Sequence, residues 1–114
     1  MRPNATPFNQ GEDLKMTAYV IANVNVSDPD RFAEYGKQVV DVVHQFGGRY
    51  LVRGGEIDNL EGDAGLHRLV VLEFPDKDAA RAFYDSEEYA PLLDLRLASA
   101  TSTLSLVDGY DDQP

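Results

Sequence analysis

Arginine, tyrosine and a single well-placed acid set the chemistry open to this chain. In GGRYLVRGGEIDNLEGD, residues 47–63, Arg53 runs directly into Gly54-Gly55. A guanidinium presents a planar fork of donors to a carboxylate, and glycine lets a ligand come close to the neighbouring backbone N–H groups. Arg53 is therefore the first candidate for holding a small organic acid, with Tyr50 of the same segment as a second contact. Glu61, just before Gly62, serves as a general base if it is partly desolvated. The plainer readings are that the glycines serve a bulge, that Arg53 pairs with a carboxylate such as Glu61, and that Glu61 is solvated.

A second group lies in RAFYDSEEYAPLLDLRLAS, residues 81–99. Tyr84 offers a phenol for hydrogen bonding or proton transfer, and Ser86 and Tyr89 flank a break in the helical pattern where a ligand can be met. Leu92, Arg96 and Ser99 share a face by their spacing, so the Arg96 head sits at a cavity or snorkels to water. Arg68 opens a strand on the side of Val70, Leu72 and Phe74, where it lines the end of the sheet or neutralises Glu61. Against these stand a capping role for Ser86 and simple core packing for the tyrosines.

Other chemistries find little to work with. With no cysteine the chain has no disulfide, thiolate ligand or cysteine nucleophile. His44 and His67 are far apart in sequence and lack close ligand partners, so no metal site is expected. A lone histidine on haem is the remaining cofactor reading, and no cofactor is expected. The glycine pairs do not fit a phosphate loop or a dinucleotide fingerprint, which needs a strand-to-helix setting. A net charge of −10 argues against nucleic acid and against anionic membrane surfaces. No apolar run approaches the ~20 residues of a spanning helix, and MRPNATPFNQ has no apolar leader core, so a cytoplasmic protein is expected.

The elements that must position these groups are set by periodicity. AYVIANVNV, residues 18–26, reads as a strand. Ser27 or Asp28 then caps a helix with Pro29 at its first position, and Phe32, Tyr35, Gly36, Val39, Val43 and Phe46 mark its buried face. Gly47-Gly48 stops it. RYLVR, residues 49–53, is a second strand that places Arg49, Leu51 and Arg53 on one face and Tyr50 and Val52 on the other. EIDNLEGDAG is read as its ragged extension. HRLVVLEF, residues 67–74, is a third strand, succeeded by a helix from Pro75 and Asp76 that restarts after Ser86 and runs to about Ala98. STLSLVDGY, residues 102–110, closes the domain. Residues 1–15 read as a flexible extension and 111–114 as a frayed end, leaving one domain over 16–110.

The order β-α-β-β-α-β is a split βαβ repeat, an α+β fold of ferredoxin-like type with both helices on one face of an antiparallel sheet. The other face is not polar. Tyr19 and Ile21 oppose Val20, Ala22, Val24 and Val26, while Leu69 and Val71 oppose Val70, Leu72 and Phe74. A water-facing side should alternate apolar with polar. The simplest cover is a second copy of the same sheet, so a homodimer is expected.

AYVIANVNVSDPDRFAEY, GGRYLVRGG, LEGD and RLVVLEFPDKDAARAFYDSEEYAPL, in this order from about Thr17 to Tyr110, resemble the family catalogued as domain of unknown function 1330. That family stands among the dimeric α/β barrels, beside antibiotic-biosynthesis monooxygenases and muconolactone isomerases. The resemblance implies two four-stranded sheets closed into one barrel with the helices outside; the segment before Met16 departs from the usual pattern. It supplies no settled activity. The function expected is binding of a small carboxylate or enolizable molecule, extending to cofactor-independent isomerisation or oxygenation. The alternatives are a binding or sensing module without turnover and a purely structural dimer. Fold alone does not choose among them.

Overall fold

In a computed structural model, residues 16–111 are described; the expectations for 1–15 and for 112–114 lie outside them. The elements run β1 (Ala18–Val26), α1 (Pro29–Gln45), β2 (Arg49–Arg53), β3 (Arg68–Phe74), α2 (Lys77–Tyr84), α3 (Ala90–Ser99) and β4 (Ala100–Asp108). They form one antiparallel sheet in the order β2-β3-β1-β4. This is the ferredoxin-like α+β fold, with three helices where two were expected, because the second helical stretch divides.

Local chemistry fixes each joint. Asp28 caps α1, its extended backbone letting the carboxylate accept from Arg31 N at 3.3 Å, and Pro29 comes next, where no backbone donor is needed. Gly47, with φ of +83°, ends the helix in the left-handed conformation, and Gly48 N donates to Val43 O at 2.9 Å. Asp76 caps α2 by accepting from Ala79 N at 2.8 Å. Between α2 and α3, Ser86 Oγ accepts from Tyr89 N at 3.0 Å and donates to Phe83 O at 2.8 Å. Ser86 thus restarts the helical path, as its capping reading requires.

The last strand begins two residues earlier than its sequence pattern suggests. Ser27 N and Asp28 N both donate to Ser99 O, at 2.8 and 3.0 Å, which pins the end of α3 against the start of α1. Ala100 therefore already pairs with Val26. The segment after Arg53 also differs from expectation. It leaves the sheet as an exposed loop, turning at Gly62 and Gly65, both with positive φ, and its return is held where Asn23 bonds to Gly65 O and His67 N.

The helices pack on one face of the sheet. Val39 and Val43 of α1, Phe83 of α2, Leu92 of α3 and Leu72 and Phe74 of β3 share one buried cluster. On the opposite face Val52, Val71 and Ile21 stand in one row across β2, β3 and β1, and Ile21 is 41% exposed. No helix among the described residues is long and apolar enough to cross a membrane.

Candidate functional site

One register shift decides the site. The β2–β3 pairing slips between Tyr50 and Val52, so Val52 pairs with Val71 and Arg53 with Val70. A bulge adds one residue to one strand and reverses the sidedness of the residues beyond it. Arg53 is thereby placed beside Val70 on the helix side, together with Tyr50, rather than on the face of Arg49. The expectation that Arg49, Leu51 and Arg53 share a face and oppose Tyr50 fails for this reason. Arg49 remains on the outer face and pairs with Glu73 at 2.6 Å.

Between the helices and this side of the sheet lies an apolar cavity of about 70 Å³, walled by aliphatic residues of β1 and β3. Among the described residues its polar lining comes from the side chains of Arg53, Arg68, Arg96, Tyr35, Tyr50, Tyr84 and Tyr89. No carboxylate among the described residues lines it. Phe32, Gly36, Arg53 and Arg68 also line an open groove of about 610 Å³, so these four residues stand at the neck between cavity and groove.

At the inner end Arg96 Nε donates to Tyr89 Oη at 3.2 Å, and the Tyr89 and Tyr35 hydroxyls meet at 3.0 Å. Arg96 and Tyr89 are both buried. Burial opposes the Arg96 charge, yet the oxygens of Tyr89, Tyr35 and Tyr84 hold its pKa above the ordinary arginine value. Burial, and then the neighbouring Tyr89, push the Tyr35 phenol well above the usual tyrosine range. Tyr35 stays protonated here and does not serve as a base. Either hydroxyl can donate in that bond, so one of the pair's two protons is used between them and the second has no partner among the described residues.

At the neck Arg53 donates to Gly36 O at 2.8 Å and lies 4.8 Å above the Tyr50 ring. Burial raises the Tyr50 pKa, with Arg53 pulling the other way. The Arg68 guanidinium sits 5.7 Å over the Phe32 ring. Its Nε is buried without a hydrogen-bond partner among the described residues.

The structure thus brings together Arg53, Tyr50, Arg68, Tyr84, Tyr89 and Arg96 of the residues singled out in the sequence. It leaves out two. Ser86 caps the turn before α3 and does not line the cavity. Glu61 is exposed in the loop after β2, where the turn at Gly62 and its solvated neighbours keep it at the surface. Neither Arg53 nor Arg68 forms an ion pair with it; among the described residues the arginines that pair with carboxylates are Arg31 and Arg49. Sequence reasoning missed Tyr35, Phe32 and Gly36 as site residues by assigning them to the core face of α1. A glycine inside a helix costs about 0.5–1 kcal/mol relative to alanine, and that was the available signal of a close approach.

Residues 17–110 match the family described as Domain of unknown function (DUF1330). Among curated proteins none matches the chain. Three solved structures are similar in fold. The RPA0582 protein of unknown function from Rhodopseudomonas palustris is 19% identical, with 85% of each chain covered and a TM-score of 0.67. A dimeric ferredoxin-like protein of unknown function from Jannaschia sp. CCS1 is 14% identical, covering 82% of this chain and 99% of that one at a TM-score of 0.63. SnoaB, a cofactor-independent oxygenase from Streptomyces nogalater, is 16% identical over 87% of this chain and 98% of its own, with a TM-score of 0.56.

Proposed function

The chain belongs to the domain of unknown function family DUF1330, and from that premise we propose that it is a homodimeric receptor for a small organic anion, a carboxylate or an enolizable compound. The observation that carries this reading is the set Arg53, Arg68 and Arg96. All three line one apolar cavity and none meets a carboxylate among the described residues, in a chain with 20 acids and a net charge of −10. Arg96 is buried and Arg68 half-buried, while Arg53 is exposed at the mouth; a charge withdrawn from water without a counter-charge is costly, and an anion in the cavity would complete it. The Tyr35–Tyr89 hydroxyl pair adds orientation, and the aliphatic walls of the small cavity accept a short carbon skeleton, with the open groove beyond the neck free to take a larger remainder.

The same groups suit turnover. Guanidinium and phenol donors in an apolar cavity would stabilise negative charge as it develops on an enolate oxygen, and the Tyr84 phenol, among the lining residues, would pass a proton. Cofactor-independent oxygenation or isomerisation is the second reading, favoured by the Arg96–Tyr89–Tyr35 chain and by the fold it shares with SnoaB. Pairing of two outer sheet faces into a barrel completes the reading, supported by the apolar row Val52, Val71 and Ile21 and by the dimeric Jannaschia structure.

The test is thermal unfolding against a panel of small carboxylates, phenols, quinols and haem. A domain of this size shifts by roughly 4–8 °C per kcal/mol, and ligand at about a hundred times its Kd adds about 2.7 kcal/mol. At least one acid or enol is expected to raise Tm, and Arg53→Ala to weaken its binding by about tenfold or more. A flat panel at high ligand concentration overturns the receptor reading and leaves the structural dimer. Haem alone shifting Tm overturns it as well.

A further inference from the structure

Arg53 and Arg68 are diagonal neighbours on the sheet. Arg53 pairs with Val70, and Arg68 stands two residues before Val70 on the same face. Such neighbours lie roughly 7–8 Å apart, within reach of two long side chains, and two like charges brought together there repel. Both heads border the neck that joins cavity and groove. Their surroundings fix them rather than neutralise them. Arg53 is tied to Gly36 O and the Tyr50 ring. Arg68 is held over Phe32, and Gly54 leaves the space its guanidinium fills, since a Cβ at position 54 would overlap it. The buried Arg68 Nε completes no bond among the described residues. At the far end, Tyr35 and Tyr89 have one hydroxyl proton left to give, backed by Arg96.

The cavity therefore has two different poles. The neck carries two positive charges without a hydrogen-bonded acid among the described residues, and the end away from the groove carries a neutral donor braced by a third charge. Resting on the receptor reading above, the geometry points to a bifunctional ligand: an organic acid whose carboxylate sits between Arg53 and Arg68, and whose second oxygen, carbonyl or hydroxyl, accepts from the Tyr35–Tyr89 pair. The apolar walls take the carbons between. Oxo acids and hydroxy acids have this layout; simple phenols, simple fatty acids and neutral ketones have half of it.

Calorimetric titration of the full chain with two probe pairs short enough for the small cavity decides the matter: 4-oxopentanoate and its amide, and 4-hydroxybutanoate and its amide. The wild type is expected to prefer the acid of at least one pair by about tenfold or more, the scale of hydrogen bonds to charged groups. In Arg68→Gln that preference falls to within about twofold while the amide binds as before. The double variant Tyr35→Phe/Tyr89→Phe, which removes both hydroxyl protons, keeps the preference for acid over amide but loses the advantage of 4-hydroxybutanoate over butanoate, titrated beside it. Because Arg68 also packs on Phe32, Arg53→Gln is run beside it, with the Tm of each unliganded variant, and is expected to act in the same direction. Acid and amide binding equally to the wild type, or a preference that survives both arginine variants, overturns the two-pole assignment while leaving the receptor reading intact. Absence of binding by all the probes and by the broader panel overturns both.

Discussion

The hydroxyls of Tyr35 and Tyr89 meet at 3.0 Å across 54 positions of sequence, and Tyr89 also accepts from Arg96. Tyr89 is 1% exposed, so its oxygen has no recourse to bulk water. Three elements, α1, the Ser86 turn and α3, are tied together at this one atom. Tyr89→Phe leaves the Tyr35 hydroxyl and Arg96 Nε short of a partner together. It is expected to destabilise the chain by about 1–3 kcal/mol, the cost of stranding a buried polar group, whereas Tyr35→Phe leaves the Arg96 bond in place and costs about 0.5–1.5 kcal/mol. Urea unfolding of the two variants measures both. A Tyr89→Phe protein as stable as the wild type would show that this junction contributes nothing to the fold.

Stability at alkaline pH is governed by the same burial. The Tyr35 phenol is pushed up by desolvation first and Tyr89 second, and Tyr50 by desolvation against the pull of Arg53. Both pKa values are raised in the folded chain. Above the ordinary tyrosine value of about 10, the unfolded chain has released protons that the folded chain retains, so stability falls as pH rises from there; below it these groups contribute no slope. The urea midpoint of Tyr35→Phe is expected to decline less steeply than that of the wild type above about pH 10. Parallel declines would mean that the Tyr35 proton is not linked to folding.

How much of the fold and the site is legible in the sequence depends on whether a feature is periodic. β1 and β3 alternate or run apolar over seven to nine residues, and their bounds and sidedness are readable because side-chain direction tracks the backbone period of two. The bulge in β2 breaks that period inside a strand of five residues, and nothing in RYLVR announces it. Arg53 thus has the expected neighbours but stands on the opposite face. Tyr35 is hidden for the opposite reason: it obeys helical spacing so well that it reads as core. Glu61 looks reactive because LEGD is a compact polar motif, but the loop after Arg53 has few apolar residues to draw it inward, and Leu60 beside it is 96% exposed.

Gly54 has φ of +72°, and a methyl group there would run into the Arg68 guanidinium. Gly55 has open space around the same position and no such backbone constraint. Gly54→Ala is expected to cost about 1–3 kcal/mol from left-handed strain and to weaken acid binding by displacing Arg68, whereas Gly55→Ala stays within about 0.5 kcal/mol. Unfolding curves and calorimetry on the pair separate the two effects. If Gly54→Ala loses stability but binds acids undiminished, Arg68 is not held in place by this glycine.

The outer face of the sheet makes the last demand. Val52, Val71 and Ile21 form an apolar row that no helix among the described residues covers, and those helices all pack on the other side. A water-facing antiparallel sheet would carry polar residues there, and a self-complementary patch of this kind is satisfied by a two-fold copy of itself. Light scattering at micromolar concentration is expected to give twice the chain mass of 12.6 kDa. Ile21→Asp and Val71→Asp each place a charge in the middle of the row and are expected to yield monomers that keep the far-ultraviolet circular dichroism of the wild type, because the helix-side core is untouched. The cavity proposed to bind acids lies on the opposite side of the sheet, so a folded monomer that still binds the wild-type ligand would separate assembly from recognition. A wild-type chain that scatters as a monomer would remove the barrel from the proposal and require another cover for Ile21.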